Sequence, residues 1–144
     1  MTQAGPGGMM MDGPIPRSWT PWLLSVLRIV AGFLFVFHGT QKLFVWPVAE
    51  PRTAAPLVSL MGLAGILEVF GGGLLAAGLF TRVVAFILSG EMAFAYFSAH
   101  APRNVWPILN GGELALLYCF LFLYLAAAGG GPWSLDAMRR GGRR

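Results

Sequence analysis

Trp22-Leu23-Leu24-Ser25-Val26-Leu27-Arg28-Ile29-Val30-Ala31-Gly32-Phe33-Leu34-Phe35-Val36-Phe37-His38-Gly39-Thr40-Gln41-Lys42-Leu43-Phe44-Val45 is an apolar run with one early charge, Arg28, and a polar group, His38, Gln41 and Lys42, near its end. As a helix rising 1.5 Å per residue it is roughly 35 Å long, enough to cross a hydrocarbon core of about 30 Å. A secretory leader would be shorter, and no small-residue cleavage pattern follows, so the run reads as an uncleaved transmembrane span.

Three further runs extend the pattern. Residues 57–80 follow a Pro/charge loop at 47–52, and residues 83–99 follow the connection Thr81-Arg82. Pro102 and Pro107 break helix in the loop 101–109. A fourth span is expected over residues 110–128, with Asn110 as cap and Glu113 three residues on. Gly129-Gly130-Gly131-Pro132 ends it. Residues 1–20, rich in Gly and Pro with three consecutive Met, read as a flexible arm, and residues 129–144 as a Gly-rich basic tail. The expected fold is all-α: an integral membrane four-helix bundle over residues 21–128.

Composition agrees. The 144 residues are 56% hydrophobic and 11% charged, too few charges to cover a soluble fold of this size. All five tryptophans (Trp19, Trp22, Trp46, Trp106, Trp133) fall at expected span edges, as an interfacial aromatic belt requires. Cys119 is the single cysteine, which excludes an internal disulfide and any multi-Cys metal or iron–sulfur site. The formal charge of +4 rests largely on Arg139, Arg140, Arg143 and Arg144. No basic face is interleaved with stacking aromatics, so anionic headgroups are expected as partners and nucleic acid is not. Four crossings put Arg17, Arg82 and the tail arginines on one side and Arg52 and Arg103 on the other, hence both termini in the cytoplasm. Small residues such as Gly62, Gly65, Gly71 to Gly73 and Gly78 let helix backbones approach closely in lipid.

Charges at membrane depth need partners or water. Counted from the cytoplasmic side, Arg28, Glu68 and Glu91 fall roughly 10 to 18 Å deep, in one layer. An Arg28 bridge to Glu68, Glu91 or both is expected there, either to lock three helices together or to leave one carboxyl as a proton acceptor. A second, outer cluster gathers His38, Gln41 and Lys42 on one helical face with His100, Asn110 and Glu113. Its two histidines and a carboxylate are chemically suited to iron or zinc, or to haem, yet no two of them show a recognised ligand spacing, so no metal is assigned. No hydrolase triad, phosphate loop or dinucleotide fingerprint is present. Aromatic residues of the spans can wall a groove for a flat apolar ligand such as quinone, with Arg28, His38, Gln41 or Lys42 as donors to its carbonyls.

Leu27-Arg28-Ile29-Val30-Ala31-Gly32 followed by Phe37-His38-Gly39-Thr40-Gln41-Lys42-Leu43-Phe44 resembles the first-helix signature of the DoxX family of small bacterial membrane proteins. Gly65-Ile66-Leu67-Glu68-Val69-Phe70-Gly71-Gly72, Asn110-Gly111-Gly112-Glu113 and Gly131-Pro132-Trp133-Ser134-Leu135-Asp136 are similar to the family pattern as well. The resemblance implies a four-helix protein of the bacterial inner membrane tied to oxidoreductase systems, such as thiosulfate oxidation to quinone or complexes that handle oxidative stress. It maps the family's polar signature onto Arg28, His38, Gln41, Lys42, Glu68, Glu91, Asn110 and Glu113.

Three functions follow as expectations. The first is a membrane subunit of a redox assembly, with a protein partner and contact to quinone. The second is a non-catalytic anchoring or assembly subunit. The third, motivated by the deep carboxyls, is proton or small-solute transport through the bundle.

Overall fold

The computed structural model describes residues 14–47 and 53–141. Most of the expected arm, five residues of the first loop including Arg52, and Arg143 and Arg144 lie outside the described residues. Every regular element among the described residues is helical. A 3-10 turn, Arg17–Trp19, leads into α1, Thr20–Phe44; α2 is Leu60–Ala77. The third, α3, is Thr81–Ala95 and runs on through a π-helical turn, Tyr96–His100. A short α4, Pro107–Asn110, precedes α5, Glu113–Ala128, and α6, Leu135–Gly141.

Three stretches, Arg17–Phe44, Leu60–Ala77 and Thr81–His100, are long and apolar enough to cross a membrane, and α5 is apolar but shorter at 16 residues. Phe33, Phe86, Phe94 and Phe120 are each more than half exposed, a surface suited to acyl chains rather than water. The five tryptophans are exposed at the helix ends.

Local chemistry sets the boundaries. Pro21 sits in the first turn of α1, where its missing N–H costs nothing. The Ser59 hydroxyl accepts the Gly62 amide at 3.0 Å and opens α2 three residues later than the apolar run begins. Gly78 closes α2 with φ 71, a left-handed backbone that favours glycine.

The fourth apolar helix departs from expectation. It starts at Glu113, with Gly112 at its cap position, because Gly111 turns left-handed (φ 69) and separates it from α4. Asn110 closes α4 instead of capping α5: its side-chain oxygen accepts the Gly112 amide at 2.7 Å and its amide group donates to the Asn104 carbonyl at 2.8 Å.

Glycines fix the register of α1 on α2. A Cβ on Gly32 would lie 2.6 Å from the Ala76 nitrogen and 2.7 Å from the Gly72 oxygen, and one on Gly39 would lie 2.6 Å from the Gly65 oxygen. Close backbone approach of this kind is how helices associate in lipid, where apolar burial supplies little drive. α3 packs mainly on α5, and the two pairs share a core that includes Phe35, Leu75, Leu88 and Phe122. Phe35 and Phe122 meet edge to face at 4.8 Å. Contact between α2 and α3 is sparser, and a groove lies between them.

Candidate functional site

The antiparallel register separates the charges that depth alone had placed in one layer. Arg28, fully buried, pairs with no carboxylate among the described residues. Its Nε donates to the Gly130 carbonyl at 2.8 Å, its Nη1 to the Leu75 and Ala76 carbonyls at 2.5 and 2.6 Å, and its Nη2 to the Trp133 carbonyl. The expected bridge from Arg28 to Glu68 or Glu91 is therefore corrected. The guanidinium lies on the last turn of α2, where carbonyls lack helical partners and the helix dipole is negative. Glu68 is seven residues back along α2, about 10 Å away by helical rise.

The segment after α5 completes that end, a role sequence reading missed. The Ser25 hydroxyl accepts the Trp133 amide at 3.2 Å, and the Asp136 amide donates to the Gly78 carbonyl at 2.9 Å. The Asp136 carboxylate accepts the Phe80 and Thr81 amides at 2.9 and 2.8 Å and so caps α3 from outside it. Burial raises the Asp136 carboxyl, but the Thr81 and Phe80 amides, with the Thr81 hydroxyl and the Arg140 charge, outweigh it and hold the group below its ordinary value. Ser134, which caps α6 by accepting the Ala137 amide, is the one local signal that could have revealed this helix.

The carboxylates belong to a different set. Glu68, 1% exposed, forms an ion pair with Lys42, and its second oxygen has no hydrogen-bond partner among the described residues. Both carboxyl oxygens of Glu91 are buried and likewise unpartnered, while Glu68 and Lys42 lie close enough to act on Glu91 electrostatically. Lys42, Glu91 and His100 line the groove between α2 and α3, a cavity of about 800 Å³ whose other walls are largely apolar, among them Leu63, Leu67, Ile87 and Phe94. Lys42 also lines a second cavity of about 340 Å³ with His38 and Gln41.

The outer cluster thus divides. His38 packs against the Tyr118 ring at 5.9 Å, and Gln41 donates to the Pro47 carbonyl at 3.2 Å. His100 pairs through Nδ1 with the Asn110 carbonyl at 3.0 Å. Glu113 is exposed at the start of α5, outside both cavities. Among the described residues no three His, Cys, Asp or Glu side chains converge as a metal site.

The DoxX family model matches residues 23–101, more than half of the chain. The chain belongs to the DoxX family. An uncharacterized protein of Haemophilus influenzae is 46% identical over 124 residues, covering 83% of this chain and 92% of that protein. An uncharacterized membrane protein of Mycobacterium tuberculosis is 26% identical over 151 residues, covering 89% and 92%. No solved structure matches. With its apolar helices, this DoxX protein is a multi-pass membrane protein. The matched region contains all but the first three residues of α1 and the whole of α2 and α3, and with them Lys42, Glu68, Glu91 and both walls of the groove.

Proposed function

We propose that this DoxX protein is a membrane subunit of a redox assembly in the bacterial inner membrane, held there beside a protein partner, and that the groove between α2 and α3 receives the ring of a quinone. The observation that carries the reading is Glu91, whose two carboxyl oxygens are enclosed in the wall of a largely apolar groove with no hydrogen-bond partner among the described residues. A buried polar group without a partner is costly unless a ligand or water supplies one. The groove's volume of about 800 Å³ lies within the range of about 300–1,000 Å³ usual for small-molecule sites. A quinone offers two carbonyl acceptors on an apolar ring, and the Lys42 ammonium or a carboxylic acid O–H can donate to them.

Within this proposal the protein crosses the bilayer four times. α5 spans about 24 Å by helical rise, and its Phe122 and Leu125 are buried in the shared core, so it traverses with the other three. Arg17, Arg82, Arg139 and Arg140 then share one end, which the positive-inside rule makes cytoplasmic along with both termini.

The test is protein purified with its native lipid and titrated with a short-chain ubiquinone, before and after Glu91→Gln. Co-extracted quinone and saturable binding that weakens in the variant are expected. A lipid extract free of quinone together with unsaturable partitioning, identical in the two proteins, would remove the reading. The second reading, a non-catalytic anchor, is favoured by the exposed Arg139 and Arg140 on α6, which present charge beyond the spans. It expects partner binding to survive the paired change Glu68→Gln and Glu91→Gln.

A further inference from the structure

At the opposite end from the Glu91 groove lies a cavity of about 430 Å³, formed where α3 begins and α5 ends. Its charged lining is Arg82, Arg140 and Asp136, and its apolar lining includes Leu24, Val83 and Ala128. Asp136 is already committed to the Phe80 and Thr81 amides. Arg82 makes no hydrogen bond or ion pair among the described residues, so two cations face one engaged carboxylate.

The floor is Gly129-Gly130-Gly131, where Gly129 and Gly131 have φ 88 and 71. The Gly129 amide closes α5 on the Leu125 carbonyl at 2.8 Å. The amides of Gly130, which is buried, and Gly131 donate to no group among the described residues. Unpaired buried amides are rare, and successive N–H groups in a turn are a common way to cradle an anion. Trp22 and Trp133, 5.3 Å apart and exposed at this same end, mark the level of the headgroups.

We propose that this cavity binds the phosphate of an anionic phospholipid, with Arg82 and Arg140 on its charge, the Gly130 and Gly131 amides on its oxygens, and the start of an acyl chain along Leu24 and Val83. The apolar wall and the flanking tryptophans favour a lipid headgroup over free phosphate. The site is independent of the ligand proposed for the groove.

Native mass spectrometry of the full chain in detergent, offered equal phosphatidylglycerol and phosphatidylcholine, tests it. The expected result is preferential retention of phosphatidylglycerol, falling about fivefold with Arg82→Gln and again with Arg140→Gln added. Arg103→Gln, at the far end of the molecule, is expected to change nothing. Equal retention of the two lipids, or an unchanged preference in the double variant, would overturn the proposal. So would inorganic phosphate stripping phosphatidylglycerol at millimolar concentration, which would assign the cradle to the free anion.

Discussion

Arg28 and Glu91 both carry ionisable groups into apolar surroundings, and the protein treats them in opposite ways. Around Arg28, the end of α2 and the segment after α5 each contribute two carbonyls, so its Nε, Nη1 and Nη2 are all engaged. Around Glu91, no described group donates to either oxygen, and the space beside it is open and apolar. A satisfied buried charge joins segments and resists change. An unsatisfied one beside a cavity is a place where something else binds. The contrast gives the Arg28 end a structural role and singles out the groove as the place for the proposed ligand, and it predicts mutational effects that differ in size and kind.

The largest effect is expected at Arg28. Arg28→Met removes every donor at once, leaving the Ala76, Gly130 and Trp133 carbonyls without this partner and the Leu75 carbonyl with only the Gly78 amide, a loss of about 3–5 kcal/mol. Arg28→Lys recovers little, because a single ammonium cannot reproduce the planar fork. Denaturant titration in detergent measures both. A folded Arg28→Met protein with unchanged stability would break the structural half of the contrast.

Gly78 tests the same end by crowding. Its φ of 71 disfavours any side chain, and a Cβ there would lie 2.9 Å from the Arg28 Cζ. Gly78→Ala is expected to cost about 2 kcal/mol or more, from left-handed strain and displacement of the guanidinium together. Gly73→Ala, where a Cβ meets nothing within 4 Å, is the matched control and should be neutral or slightly stabilising.

Much of this architecture was readable in the sequence. Apolar runs bounded by Pro and Gly located the long helices to within a few residues, and tryptophans marked their ends. The polar residues that lie at depth could also be listed from the sequence. Their partners were not readable, because depth counted separately along each helix does not give the register between antiparallel neighbours. The Gly32–Gly72 contact sets that register, placing Arg28 at the end of α2 and Lys42 beside Glu68. Backbone carbonyls have no sequence signature, so the true partners of Arg28 were invisible. The seven residues of α6 are too few for a periodic pattern, and Asp136 acts on amides 55 and 56 positions away.

Asp136 gives a smaller, pH-dependent effect. Asp136→Asn weakens the cap on α3 and is expected to cost about 1 kcal/mol at neutral pH. The folded carboxyl titrates below its unfolded value, so its contribution is fully present above the unfolded value of about 4 and fades as pH falls through the folded one. Stability curves of wild type and Asp136→Asn should therefore converge only in acid. A constant gap down to pH 3 would mean that the carboxylate charge is not what holds the α3 terminus.

Glu91→Gln is expected to have the smallest effect on stability and a decisive one on ligand. The amide keeps the shape of the carboxyl and removes an enclosed ionisable group that no donor satisfies, so stability should stay within about 0.5 kcal/mol of wild type or rise. The quinone binding proposed for the groove should weaken in the same protein. The reciprocal change within the ion pair, Lys42→Met, strips Glu68 of its donor and should destabilise by several kcal/mol. Loss of stability in Glu91→Gln as deep as in Lys42→Met would mean that Glu91 is bonded in the native membrane by a structural partner, and the groove would then be closed to the ligand proposed for it.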